Sequence, residues 1–254
     1  MKRYNIQFPA LDVKHLDQNE AFFYLTENGS KEKIIFHDYD TIYNYPGLYE
    51  QLFYDRLKCN SPQKITSVLA KTIDENKEHF SEMRVLDFGA GNGIMGEELK
   101  KIGVARLVGA DIIQEAAISA QRDRPGVYDE YYVKDFTKLN EEDQRIFKTW
   151  NLNALTTVAA LGFGDIPPSA FIQAVNLINK HGWIAFNIKE TFLYDTDTSG
   201  FSKMIRNLIF SEYLNIHHLE RYRHRVSIEG KPVYYFAVVC RKNNNVPEAF
   251  LENL

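Results

Sequence analysis

The sequence predicts an α/β domain, a doubly wound and mainly parallel sheet finished by an antiparallel hairpin. Three observations predict it. From Met83 onward, short β-rich runs alternate with helical segments, and that alternation builds a parallel sheet covered by helices on both faces. The last two β-rich runs meet around Glu229-Gly230, close enough for a short loop and an antiparallel pair. Finally, 254 residues with 44% hydrophobic and 13% aromatic content are enough for one large, fully packed core.

The elements follow in order. Residues 1–80 are polar and aromatic-rich and form an expected N-terminal helical cap. Its helices lie at Gly47–Leu57 and Pro62–His79, where Ile65, Val68, Leu69, Thr72 and Ile73 recur at three- and four-residue spacing. Ser61 is the expected N-cap, with proline at the first helical position. Residues 81–242 are the main domain. Arg84–Phe88 is its first strand and Ile94–Ile102 its first helix, stopped at Gly103. Arg106–Ala110 is the next strand and Gln114–Arg122 the next helix, ended by Pro125-Gly126. Strands at Tyr131–Lys134 and Leu152–Ala159 precede a helix at Pro168–Asn179. Trp183–Ile188 is the fifth strand, Ser199–Tyr213 a helix, and Ile216–Ser227 with Val233–Arg241 the hairpin. Residues 243–254 read as a polar turn and a loosely held end.

Composition excludes several function classes. Thirty basic and 34 acidic residues, mixed along the chain, leave a net charge of −4, so no general field attracts a polyanion. Nucleic acid is therefore not expected as a partner. Cys59 and Cys240 make neither a disulfide framework nor a zinc spacing, so no metal is expected. No apolar run follows the basic residues of MKRYNIQFPALDVKH, and no stretch of ~18 uncharged apolar residues occurs anywhere. The expectation is a cytoplasmic protein without a membrane partner.

Val85–Gly96, VLDFGAGNGIMG, carries the chemistry. It lies where a strand ends and a helix begins, so glycines let backbone approach a ligand beside the helix's unpaired N–H groups. Gly91–Gly96 matches GxGxxG, a dinucleotide fingerprint that is weak alone. Asp87 to Gly93 also reads as Asp-x-Gly-x-Gly-x-Gly. A carboxylate there would repel a pyrophosphate and suit an ammonium, which points to S-adenosylmethionine. Asp111 ends the next strand, 24 positions after Asp87, near the ~20-residue offset of a ribose-binding acid. Asp135, followed by Phe136, ends the third strand and suits an adenine amine. The plainer alternative has Asp111 cap the next helix and Asp135 begin a turn.

VLDFGAGNG, GADI and VKDF, in this order and spacing, resemble the class I S-adenosylmethionine-dependent methyltransferases over about Met83 to Lys242. The resemblance implies a Rossmann-like seven-stranded mixed sheet and an S-adenosylmethionine cofactor. It implies Asp87, Gly89, Ala90 and Gly91 at the methionine end, Asp111 at the ribose and Ile112 against adenine. Asp135 and Phe136 would meet the rest of that ring, and Thr157 belongs to the same implied set. The chain has Asn153-Ala154 and no Asn-Pro-Pro-Tyr, which argues against the exocyclic-amine methylases. ALGFGDIPPSAF and HGWIAF are similar to small-molecule methyltransferases, including the Williams–Beuren-region methyltransferase-like proteins.

Substrate is expected beyond the carboxyl ends of the strands, under HDYDTIYNYPGLYEQLFYD. Tyrosine faces attract a cation such as a sulfonium, and Tyr39 and Tyr43 are the expected cap residues; the alternative is that these rings only pack the extension. Phe53 and Tyr54 are expected to pack. A protonated acceptor needs a base, for which His37 and Glu190 are the candidates. His217, His218 and His224 read as structural. The expected function is S-adenosylmethionine-dependent methyl transfer to a small molecule by in-line displacement. The alternatives are a binding module that keeps the cofactor pocket without transfer, or a protein methyltransferase; an RNA acceptor is disfavoured by the charge.

Overall fold

The computed structural model describes residues 2–9, 20–27, 29–162, 165–194 and 196–253. The chain opens on strands β1 (Asn5–Gln7), β2 (Phe22–Glu27) and β3 (Ser30–Ile35), an antiparallel sheet in the order β1-β2-β3. Helix α1 (Tyr39–Asn44) follows, then α2 (Leu48–Glu50), which runs on as a π-helical stretch over Gln51–Arg56. There Leu57 N–H donates to the Leu52 carbonyl at 3.1 Å. The N-terminal cap therefore carries a sheet as well as the expected helices. Its apolar set, including Phe23, Ile34, Phe36, Ile42 and Leu52, closes a core of its own.

Helix α3 (Ser61–Glu75) begins one residue before its expected start, with Asn60 at the N-cap position. Ser61 does not cap it. Its hydroxyl is buried against Tyr222 Oη at 2.6 Å and His224 Nδ1 at 2.5 Å.

The main sheet uses β4 (Arg84–Phe88), β5 (Arg106–Asp111), β6 (Glu130–Val133), β7 (Ala154–Thr157), β8 (Trp183–Lys189), β9 (Leu214–Val226) and β10 (Pro232–Lys242). Their order is β6-β5-β4-β7-β8-β10-β9, parallel through β8, with β10 antiparallel to both β8 and β9. This is the expected seven-stranded mixed sheet with its hairpin. The chain leaves β4 outward to β5 and β6, then returns to β7 on the other flank. The crevice at such a reversal is where ligands bind in open sheets.

Helices α4 (Ile94–Lys101), α5 (Gln114–Asp123), α6 (Glu141–Thr149), α7 (Pro168–Leu177) and α8 (Phe201–Phe210) connect the strands. Side chains alternate across the sheet. Leu86 and Phe88 join the cluster under α7 and α8, while Val85 joins the one under α3 and α4. Helix α3, grouped with the cap by sequence, thus covers the main sheet. Helix α6 was not anticipated; Asn140 and Asp143 form a reciprocal capping box that starts it.

The start of the tail is held at Val246. Val246 is buried, its N–H donating to Asn176 Oδ1 at 2.8 Å and its carbonyl accepting from Asn176 Nδ2 at 2.9 Å. No helix among the described residues is long and apolar enough to cross a membrane. Much of MKRYNIQFPALDVKH, and Phe163-Gly164 of ALGFGDIPPSAF, lie outside the described residues.

Candidate functional site

The site starts where β4 runs out. Gly89 has φ +74°, and a Cβ there would stand 2.8 Å from Ala160 Cβ. At Gly91, φ is +52° and a Cβ would meet Tyr43 Oη at 2.5 Å. Both positions need glycine for conformation and for space. The loop is tied to β5: the N–H groups of Gly89 and Ala90 both donate to the Ala110 carbonyl, at 2.8 and 3.0 Å.

Asp111 completes that tie. Its Oδ2 accepts from Gly91 N–H at 2.9 Å and its Oδ1 from Ile113 N–H at 3.1 Å. Burial pushes its carboxyl up, and these amide donors oppose the shift. It also lines a cavity of about 260 Å³ beyond the strand ends.

Asp87 sits elsewhere. It is 1% exposed, takes Tyr128 Oη at 2.6 Å and Thr156 Oγ1 at 2.8 Å, and is absent from the cavity wall. Burial raises its carboxyl to about 6. Asp87 therefore braces the loop from behind. The contrast between ammonium and pyrophosphate drawn from its charge is corrected: the carboxylates that line the cavity are those of Asp111, Asp135 and Asp165.

Of the remaining expected residues, Gly89, Ala90, Gly91, Ile112, Asp135, Phe136, Tyr39, Tyr43 and His37 all line the cavity. Ile112 is 60% exposed there, unusual for so apolar a side chain. Asp135 does two things at once. It caps the following turn through Thr137 N–H at 2.9 Å, Thr137 Oγ1 at 2.6 Å and Lys138, contacts that hold its carboxyl down, and it reaches the cavity wall. Phe136 is buried with its ring 4.4 Å from that of Phe88. Thr157 is not brought to the cavity; its hydroxyl is buried without a partner among the described residues.

The far wall is tyrosine. Tyr39 and Tyr43 stack at 6.1 Å, Tyr43 and Tyr49 approach to 5.1 Å, and Tyr54 also reaches the cavity. Tyr45 instead turns out to Glu32. Glu50 locks this wall to the glycine loop, accepting from Asn92 Nδ2 at 2.7 Å and Arg124 Nη1 at 2.9 Å.

His37 faces Asp165, with Nδ1 2.9 Å from Oδ2. A carboxylate only accepts, so Nδ1 is the donor in this pair. Both residues line the cavity. Glu190, the other candidate base, is held by Arg221 at 2.7 Å and does not reach the cavity. Asp165 was missed because no local pattern links it to a histidine 128 positions away.

The three histidines of the hairpin each make a packing or hydrogen-bond contact. The ring of His217 packs edge-on to Trp183 at 4.9 Å, His218 bonds Glu220 at 3.2 Å, and His224 is buried on Ser61. Among the described residues, no group of three His, Cys, Asp or Glu side chains could hold a metal.

No protein-family model and no curated protein sequence matches the chain. Solved structures do. An S-adenosylmethionine-dependent methyltransferase from Anabaena variabilis is similar at TM-score 0.55 and 14% identity, over 81% of this chain and 93% of that one. The magnesium protoporphyrin IX methyltransferase of Synechocystis, solved with bound S-adenosylmethionine, matches at 0.50 and 14%, over 72% and 79%. A Pyrococcus horikoshii protein proposed to be an RNA methyltransferase matches at 0.53 and 11%, over 74% and 87%. At these identities the likeness establishes the fold alone, the Rossmann-like sheet that these methyltransferases share.

Proposed function

We propose that the chain is an S-adenosylmethionine-dependent methyltransferase acting on a small molecule. One observation carries this reading. The glycine loop, the Asp111 carboxylate and a tyrosine wall bound one cavity, and a histidine–carboxylate pair lines it. The residues fit the cofactor. Backbone at Gly89 and Gly91 comes close where any Cβ would intrude, Asp111 can accept from ribose hydroxyls, and Ile112 offers an exposed apolar face.

When bound, S-adenosylmethionine supplies a methyl group on a positively charged sulfur. The protein's part is positioning and exclusion of water. Tyrosine faces suit a sulfonium, and burial holds the Tyr39 and Tyr43 hydroxyls well above their ordinary range, so they stay neutral. His37 would take the acceptor's proton while Asp165 orients the ring and stabilises the charged form. Glu190 is not proposed as a base, because Arg221 occupies it.

A small acceptor is favoured over a macromolecule because the cap roofs the cavity with tyrosines. RNA, raised by the Pyrococcus neighbour, is disfavoured by the net charge of −4. The test is release of S-adenosylhomocysteine against a metabolite library, with bulk RNA and protein extracts as separate arms. Turnover confined to a small molecule supports the proposal. Turnover only with a polymer would overturn the acceptor class, and binding without turnover would leave a cofactor-binding module.

A further inference from the structure

Arg225 is a buried guanidinium to which no carboxylate among the described residues is paired. It is 5% exposed, and its Nη1 donates to the Val226 carbonyl at 2.9 Å. Its guanidinium carbon also lies 5.8 Å from the centre of the Phe36 ring. A buried cation ordinarily has a counter-charge, because removing it from water is costly. Burial accordingly holds Arg225 below its usual range, against the smaller opposing effect of Tyr235, Cys59 and Tyr39.

Its position follows from a defect in the hairpin. Across the ladder Tyr234 pairs with Arg223 but Val233 with Arg225, so His224 is the extra residue of a bulge. Bulges re-aim side chains. Here the bulge buries both His224 and Arg225 beneath the turn at Leu57–Asn60, which is bonded to the strand through Val226 N–H to Leu57 O at 2.7 Å.

Arg225 lines a side cavity of about 30 Å³ with Phe53 and Leu161. The side cavity shares His37, Tyr39, Tyr49, Ala159 and Asp165 with the main one and takes no residue from the glycine loop. Ala159 is fixed there at φ +58°, its N–H donating to Asn187 Oδ1 at 2.6 Å. A volume of that size holds about two waters, which suits a carboxylate head and is tight for a phosphate. The carboxylate in the same lining, Asp165, is already engaged by His37.

We propose that Arg225 is an anion subsite for the methyl acceptor, which is a small carboxylic acid whose body lies among the tyrosines. This rests on reading the main cavity as a methyl-transfer site. The planar guanidinium fork matches a carboxylate in geometry as well as charge.

The test uses benzoate and its neutral isostere benzamide, titrated calorimetrically into the whole protein with and without S-adenosylhomocysteine. Benzoate is expected to bind about tenfold more tightly than benzamide, as a charge-assisted pair implies. Arg225→Gln should abolish that preference and leave S-adenosylhomocysteine affinity unchanged. Arg225→Lys should keep part of it. Should the glutamine variant fail to fold, the wild-type Arg225 Nε resonance should shift with benzoate and stay still with benzamide. Equal binding of the two probes, a preference that survives Arg225→Gln, or a silent resonance each overturns the proposal. Failure to bind S-adenosylhomocysteine would instead strike the methyl-transfer reading, while the contrast between benzoate and benzamide would still decide Arg225.

Discussion

Tyr43 Oη stands 2.5 Å from where a Cβ on Gly91 would lie, so the first cap helix and the glycine loop fit only because that Cβ is missing. The contact joins the N-terminal cap to the end of β4 across a gap no larger side chain tolerates. Gly91→Ala is expected to destabilise the fold by about 1–3 kcal/mol, combining left-handed backbone strain with overpacking. Adding Tyr43→Phe should recover the overpacking part and leave about 1 kcal/mol of strain. Urea unfolding of the two single variants and the double variant gives the coupling; strictly additive effects would deny the contact.

Asp111 serves the loop and the cavity together. Asp111→Ala is expected to weaken S-adenosylhomocysteine binding by roughly 1.5–3 kcal/mol, the worth of hydrogen bonds to a charged group. Because Gly91 N–H also loses its acceptor, the melting temperature should fall as well. Asp111→Asn keeps an acceptor oxygen and should restore more stability than affinity. Calorimetry and thermal unfolding check both; undiminished affinity in the alanine variant would remove Asp111 from the cofactor site.

Asp87 makes stability depend on pH. Its carboxyl is raised by burial from 3.8 to about 6, so between those values the folded state binds more protons than the unfolded one. Stability from this group is therefore full below 3.8 and is lost as pH rises through 6. Asp87→Asn should remove that decline. Above pH 6 the variant is expected to be the more stable protein, by up to roughly 3 kcal/mol at 1.36 kcal/mol per pKa unit. Unfolding of both proteins from pH 4 to 8 tests it, and a constant difference across the range would contradict it.

The pairing of His37 with Asp165 predicts unequal losses. With an acceptor in hand, His37→Ala should lower kcat by about 10²–10⁴-fold, the usual worth of a general base. Asp165→Asn, which keeps an acceptor for Nδ1–H and removes the charge, should lose less. Neither should alter S-adenosylhomocysteine affinity. Unchanged kcat in His37→Ala would leave desolvation and positioning as the whole mechanism.

Some elements carried local signals that were strong enough to read. Strand–helix alternation, Gly103 at φ +84° after α4 and the glycines after β4 are fixed by nearest-neighbour sterics, so composition and spacing revealed them. Others carry equally local signals. Asn28-Gly29, between FFYLTE and SKEKII, is a hairpin dipeptide, and Asn140 with Asp143 is a capping pattern. These mark β2–β3 and α6.

By itself the sequence determined the doubly wound sheet and the run of acids and glycines at its strand ends, because backbone conformation and hydrophobic periodicity act over a few residues. Only the tertiary structure decided what each polar side chain faces. It turned Asp87 inward to Tyr128 and Thr156, sent Glu190 to Arg221, met His37 with Asp165 from 128 positions away, and folded Arg225 under a bulge. Such partners are chosen by packing between distant segments, where desolvation and geometry outweigh anything written in the adjacent residues.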